Sequence, residues 1–67
     1  MFFPRLKELR VDKKMTQEQI ANILGCKREV YRRYEVGERD VPVWVVLKLC
    51  RYYETTPNYV LGVSDEK

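Results

Sequence analysis

Residues 16–37, TQEQIANILGCKREVYRRYEVG, decide the fold. Thr16 followed three residues later by Gln19 is a capping box, in which each side chain satisfies the other residue's unpaired backbone N–H. Met15 before the cap and Ile20 at the fourth helical position form the matching hydrophobic staple. Ile20, Ala21 and Leu24 supply one apolar face, and Gly25 ends the helix at a position that requires a positive φ. This helix has only about two turns, so it must lean on a neighbour. A further short helix fits residues 28–35 and stops at Gly37. It turns Val30 or Tyr31, with Tyr34, inward and leaves Lys27, Arg28, Glu29, Arg32 and Arg33 outward. Ala21 is small enough for the two helices to cross closely, with Cys26, Tyr31 and Tyr34 filling the space beneath.

The flanks read the same way. Pro4 suits the first turn of a helix running to about Lys13, with Leu6, Leu9 and Lys13 at helical spacing. Pro42 opens a fourth helix through about Tyr53, with Val43, Val46, Leu47, Cys50 and Tyr53 predicted on its inner face. Pro57 begins a last turn or two in which Val60 and Leu61 pack before Gly62. Residues 63–67 read as a frayed, acidic tail. No segment shows strand alternation, so the sequence predicts one all-α domain over residues 1–67, with its central motif at about 16–36.

Composition narrows the function. In 67 residues of 8.1 kDa there is room for a single domain, and none is expected for a separate dimerisation unit. Thirteen Lys and Arg against ten Asp and Glu give +3, a mild excess that suits an acidic partner when clustered. There is no histidine, and Cys26 and Cys50 are far apart. The usual zinc sets and Ser-His or Cys-His chemistry therefore cannot be assembled. No catalytic residue, metal or cofactor is expected, and the thiols read as small core residues in a reducing compartment, with redox sensing a lesser alternative. The longest apolar run, Val43–Leu47, is too short to span a membrane, and the N-terminus lacks the marks of a signal peptide. A cytoplasmic binding module is the expectation.

Two short helices, a tight turn and a cation-rich second helix are the sequence pattern of a helix-turn-helix. Residues 17–21 (QEQIA), Gly25, 31–35 (YRRYE) and 37–39 (GER) resemble the Cro/C1-type (XRE) helix-turn-helix family of phage and bacterial repressors. So do Val41-Pro42, residues 47–49 (LKL), Tyr52-Tyr53 and 57–62 (PNYVLG), so the resemblance covers roughly residues 5–62. It implies a compact five-helix, lambda-repressor-like domain whose third helix enters the DNA major groove. By matching position, it implies that Gln17 contacts a phosphate and braces the recognition helix. Arg28, Glu29 and Arg33 fall at base-reading positions flanked by Lys27 and Arg32, and Arg39 lies in a phosphate-touching loop. Arg10 and Glu35 match an internal ion pair, and Pro57, Asn58 and Val60 match a two-fold contact. The function implied is a sequence-specific transcriptional regulator, a repressor acting as a weak homodimer on a palindromic operator in a bacterial or phage-derived setting.

Three positions depart from the family pattern. Lys27 stands where a capping Ser or Thr is usual, Val30 replaces a small polar residue that meets a phosphate, and Trp44 replaces a polar residue. Val45 is expected to extend the apolar surface around Trp44. Two readings of Glu29 stand side by side: accepting from a cytosine amino group, or pairing with Arg32 and Arg33 along its own helix. Trp44 also reads two ways, as a partner or dimer contact or as packing over a neighbouring helix. The competing function is an antitoxin-like or adaptor module that uses the same fold to bind protein.

Overall fold

Among residues 2–66, which the computed structural model describes, there are five helices and no strand: α1 Pro4–Asp12, α2 Gln17–Leu24, α3 Arg28–Val36, α4 Val43–Tyr53 and α5 Pro57–Leu61. Met1 and Lys67, the outermost positions of the expected domain and tail, lie outside the described residues. The reciprocal cap of α2 is present: Gln19 N–H donates to Thr16 Oγ1 at 3.1 Å, and Thr16 N–H donates to Gln19 Oε1 at 2.8 Å. Gly25 closes α2 at φ +75°, which lets Cys26 N–H reach back to the Ala21 carbonyl at 3.0 Å. The chain can therefore turn within three residues and restart as α3, packed against α2.

The core joins all five helices. Leu6 and Leu9 of α1, Ile20, Ala21 and Leu24 of α2, and Tyr31 and Tyr34 of α3 are buried together. Val45, Val46, Leu49, Cys50 and Tyr53 of α4 and Val60 of α5 complete it, with Phe3 from the N-terminal segment. Gly37, at φ +84°, ends α3 where the Phe2 side chain packs; a Cβ there would sit 3.2 Å from Phe2 Cβ.

Three expectations need correction. The inner face of α4 comprises Val45, Val46, Leu49, Cys50 and Tyr53, while Val43 and Leu47 are exposed. The stripe is turned by about 60° from the expected one because five successive apolar residues carry no periodicity to choose a face. Val45 accordingly lies in the core and adds nothing to the surface around Trp44. On α5, Val60 is buried at 1% exposure while Leu61 faces out, so Val60 packs against the body of the domain rather than lying at its surface. Near the tail, Arg5 donates to the Tyr59 carbonyl at 2.8 Å and to the Ser64 carbonyl, and pairs with the exposed Asp65 at 2.6 Å. Its guanidinium also stacks 4.2 Å over the Tyr59 ring.

Candidate nucleic-acid interface

The candidate surface begins where α2 hands over to α3. Lys27 occupies the N-cap of α3 in extended backbone, and its side chain makes no capping bond. That end of the helix keeps free N–H groups and a partial positive charge. Arg28 follows in the first turn, exposed and with no side-chain partner among the described residues. Residues 28, 29, 32 and 33 share one flank of α3, whereas Tyr31, Tyr34 and Glu35 occupy the buried flank.

Two carboxylates sit among these cations. Glu29 accepts from Arg32 through Nε at 3.0 Å and Nη2 at 2.7 Å, and lies 3.5 Å from Arg33 Nε. Hydrogen bonding from Arg32, with the charges of Arg32 and Arg33, holds its carboxyl below the usual range against the opposing effect of desolvation. Glu38, in the turn after α3, takes Arg32 Nη2 at 3.1 Å. Of the two readings of Glu29, the local pairs are the arrangement seen in the free protein. Arg32 is thus held between two acids, while Arg28 and the far end of Arg33 reach into solvent.

Behind this surface lies a brace. Arg10 of α1 meets Glu35 of α3 with two bonds, Nε to Oε2 at 2.9 Å and Nη2 to Oε1 at 3.0 Å, and donates to the Met15 carbonyl at 2.7 Å. Gln17, first residue of α2, donates to Glu35 Oε1 at 3.3 Å. One carboxylate therefore fixes three helices and the loop before the capping box. Glu35 is 3% exposed. Burial pushes its carboxyl up, but the Arg10 hydrogen bonds and charge, with the Tyr31 hydroxyl and Gln17 amide close by, outweigh it and leave the carboxyl below its usual range. The Tyr31 hydroxyl lies near Glu35 without reaching hydrogen-bond geometry, and the buried Tyr53 hydroxyl likewise lacks a partner among the described residues. Burial raises both phenols far above their ordinary range.

An open groove of about 540 Å³ runs past the N-terminus of α2, lined by Arg10, Lys14, Thr16, Gln17 and Arg28 among others. Cations, an amide and the helix end converge there, alongside the Glu18 carboxylate, which also lines the groove. Arg39 stands apart in the loop after α3, its guanidinium 5.9 Å over the Tyr34 ring. Lys14 and Glu38 were not singled out from the sequence. Lys14 precedes the staple as an ordinary loop cation, and Glu38 reaches Arg32 only because Gly37 reverses the chain. Apart from these groups, Pro57 and Asn58 are exposed at the start of α5. Val41, Val43, Leu47, Pro57 and Leu61 border an apolar groove of about 190 Å³ beside them.

Among the described residues no helix is long and apolar enough to cross a membrane. A family profile described as a helix-turn-helix domain matches residues 4–60. The chain is 33% identical over 66 residues to the uncharacterized HTH-type transcriptional regulator YobD of Bacillus subtilis (strain 168), covering 98% of this chain and 59% of that protein. It is 35% identical over 68 residues to the uncharacterized HTH-type transcriptional regulator YqaE of the same organism, covering 100% of this chain and 59% of the relative. A third relative is the cryptic phage CTXphi transcriptional repressor RstR of Vibrio cholerae, 34% identical over 53 residues, or 79% of this chain and 48% of RstR. The chain thus spans about half to three-fifths of the length of these relatives. No solved structure matches it. With α2 and α3 joined at Gly25, cations along the outward flank of α3 and a profile match over nearly the whole chain, this protein belongs to the helix-turn-helix family of DNA-binding proteins, in its Cro/C1-type (XRE) branch.

Proposed function

We propose that this chain is a sequence-specific, double-stranded DNA-binding transcriptional regulator that represses as a homodimer on a palindromic operator in the bacterial cytoplasm. The observation that carries the reading is the outward flank of α3, where Arg28, Arg32 and Arg33 follow Lys27 on a helix held from behind by the Glu35 brace. Laid in the major groove, Arg28 and Arg33 offer bidentate donors to guanine O6 and N7. Glu29 is displaced toward a cytosine amino group or stays on Arg32, setting the rotamers of its neighbours. Gln17, beside the α2 N-terminus, and Lys27 take phosphates on one side, and Arg39 takes one from the loop. Affinity then comes mainly from phosphates, and preference from Arg28 and Arg33. No metal, cofactor or chemical step is required. Repression is supported by the name of the Vibrio cholerae relative, a phage transcriptional repressor.

The dimer contact is centred on Pro57 and Asn58, with exposed Leu61 and Val43 taking the place assigned to Val60 in the sequence. One short helix in one groove reads few bases, so discrimination within a genome calls for a second half-site about 34 Å away. A surface this small pairs weakly in solution and firmly on DNA, where the first subunit raises the local concentration of the second.

Selection of bound duplexes from a random pool tests the reading directly. It should return a two-fold symmetric site, bound cooperatively two-to-one, with affinity falling steeply with salt. Absence of enrichment sinks the DNA assignment, and tight one-to-one binding to an asymmetric site sinks the dimer. Leu61→Glu should remove cooperativity while leaving the helical signal intact.

A further inference from the structure

Next to the α5 groove, α4 carries a second surface that the DNA reading leaves unused. Trp44 is 52% exposed and Leu47 47%, large values for such side chains on so small a domain. One turn further along lie Lys48 and Arg51, and the four residues line a shallow groove of about 480 Å³. On a helix, Trp44 with Lys48 and Leu47 with Arg51 form two neighbouring i,i+4 rows. Each row runs from an apolar side chain to a cation. Lys48 and Arg51 make no ion pair or side-chain hydrogen bond among the described residues, and α4 contains no acidic residue to neutralise them. The groove shares no lining residue with the one beside Arg28.

We propose that the Trp44–Leu47–Lys48–Arg51 face docks a protein segment: an amphipathic helix bearing aliphatic residues with carboxylates about one turn away. Aliphatic side chains cover the indole and Leu47, and the carboxylates meet the two unpaired cations, so apolar burial supplies affinity and the charges set direction. A second copy of this chain fits worse. Two apposed α4 helices bring four cations together with two indole rings and no α4 carboxylate, leaving charges desolvated without compensation. This inference does not rest on DNA binding; the face adjoins the α5 groove, whose border it shares through Leu47.

Trp44 is the only tryptophan in the chain, so its fluorescence reports on this face alone. The probes are two tryptophan-free amphipathic peptides with leucines at identical positions, one carrying glutamates and the other lysines. The glutamate peptide should shift Trp44 emission to the blue and saturate. The lysine peptide should bind about tenfold more weakly, the sum of two exposed charge pairs. Lys48→Glu combined with Arg51→Glu should reverse that preference with circular dichroism unchanged. Lys48→Gln with Arg51→Gln, a milder pair, should abolish it. Equal response to both peptides, or none, overturns the proposal. A blue shift that grows with protein concentration alone and persists in Leu61→Glu also overturns it, since a second copy then occupies this face rather than the α5 groove.

Discussion

Helix α3 carries a guanidinium–carboxylate cluster on each of its two flanks, and they do opposite work. On the inner flank, Glu35 meets Arg10 in a two-bond fork inside the fold, with Gln17 attached. On the outer flank, Glu29 and Glu38 hold Arg32 at comparable distances but in solvent. The chemistry is the same and the surroundings differ. A buried pair cannot lose one member without leaving the other charge stranded, so it fixes geometry. An exposed pair is worth little and trades partners freely, so it can give its arginine to a phosphate or base. One flank holds the helix still while the other stays negotiable.

The sharpest way to break this contrast is to remove Glu35. Glu35→Ala should cost about 3–5 kcal/mol, enough to unfold much of so small a domain, read as a collapse of the urea midpoint. Acid should do the same gradually. Glu35 titrates below its usual value in the fold, so its stabilisation is complete above the unfolded carboxylate range, near pH 4.3, and fades as pH falls through its lower folded value. Glu35→Gln should flatten stability over that acid window; an unchanged acid limb would mean that other carboxylates govern it.

On the outer flank the effects belong to binding. Arg33→Ala should lose about 1–3 kcal/mol at one base pair and relax preference there, whereas Arg39→Ala should weaken all sequences alike and reduce the salt slope by about one unit. Binding to single-base variants of the selected site separates the two. Thr16→Ala comes next, at about 0.5–2 kcal/mol of stability, since its cap starts the helix that carries Gln17 to Glu35. A lower urea midpoint with unchanged m-value and unchanged base preference is expected. Smallest is Glu38→Gln, which frees Arg32 from one of its two acids. Stability should move by less than about 0.5 kcal/mol while non-specific DNA affinity rises a few-fold. Equal loss of stability at Glu38 and Glu35 would erase the distinction between the flanks.

Local signals in the sequence were dependable where a single residue type has one cheap way to act. Thr16 with Gln19, and glycine at 25, 37 and 62, set helix ends that the structure reproduces. The tyrosines of α3 sorted inward because charged residues occupied the rest of the turn. Signals failed where neighbours were chemically alike. Val43 to Leu47 offered several equivalent stripes, and only packing against the other helices chose Val45 and Val46 over Val43 and Leu47. Val60 and Leu61 posed the same ambiguity on α5. On the candidate surface, the outward placement of the α3 cations was legible from their spacing, but the hold of Glu38 on Arg32 depends on a chain reversal that linear spacing does not encode.

The contacts of Arg5 bear on the order in which this fold assembles. The α2–α3 pairing joins residues near in sequence and closes a short loop. Arg5 instead spans 54 to 60 residues to reach Tyr59, Ser64 and Asp65. Closing so long a loop is entropically worthwhile only after the intervening helices have collapsed, so this clasp belongs to the last stage of folding and the first stage of opening. Because α1 meets both α5 at the clasp and α3 at the Glu35 brace, opening the clasp should release α5 and the tail while the Arg10–Glu35 pair still holds α1 to the helix-turn-helix.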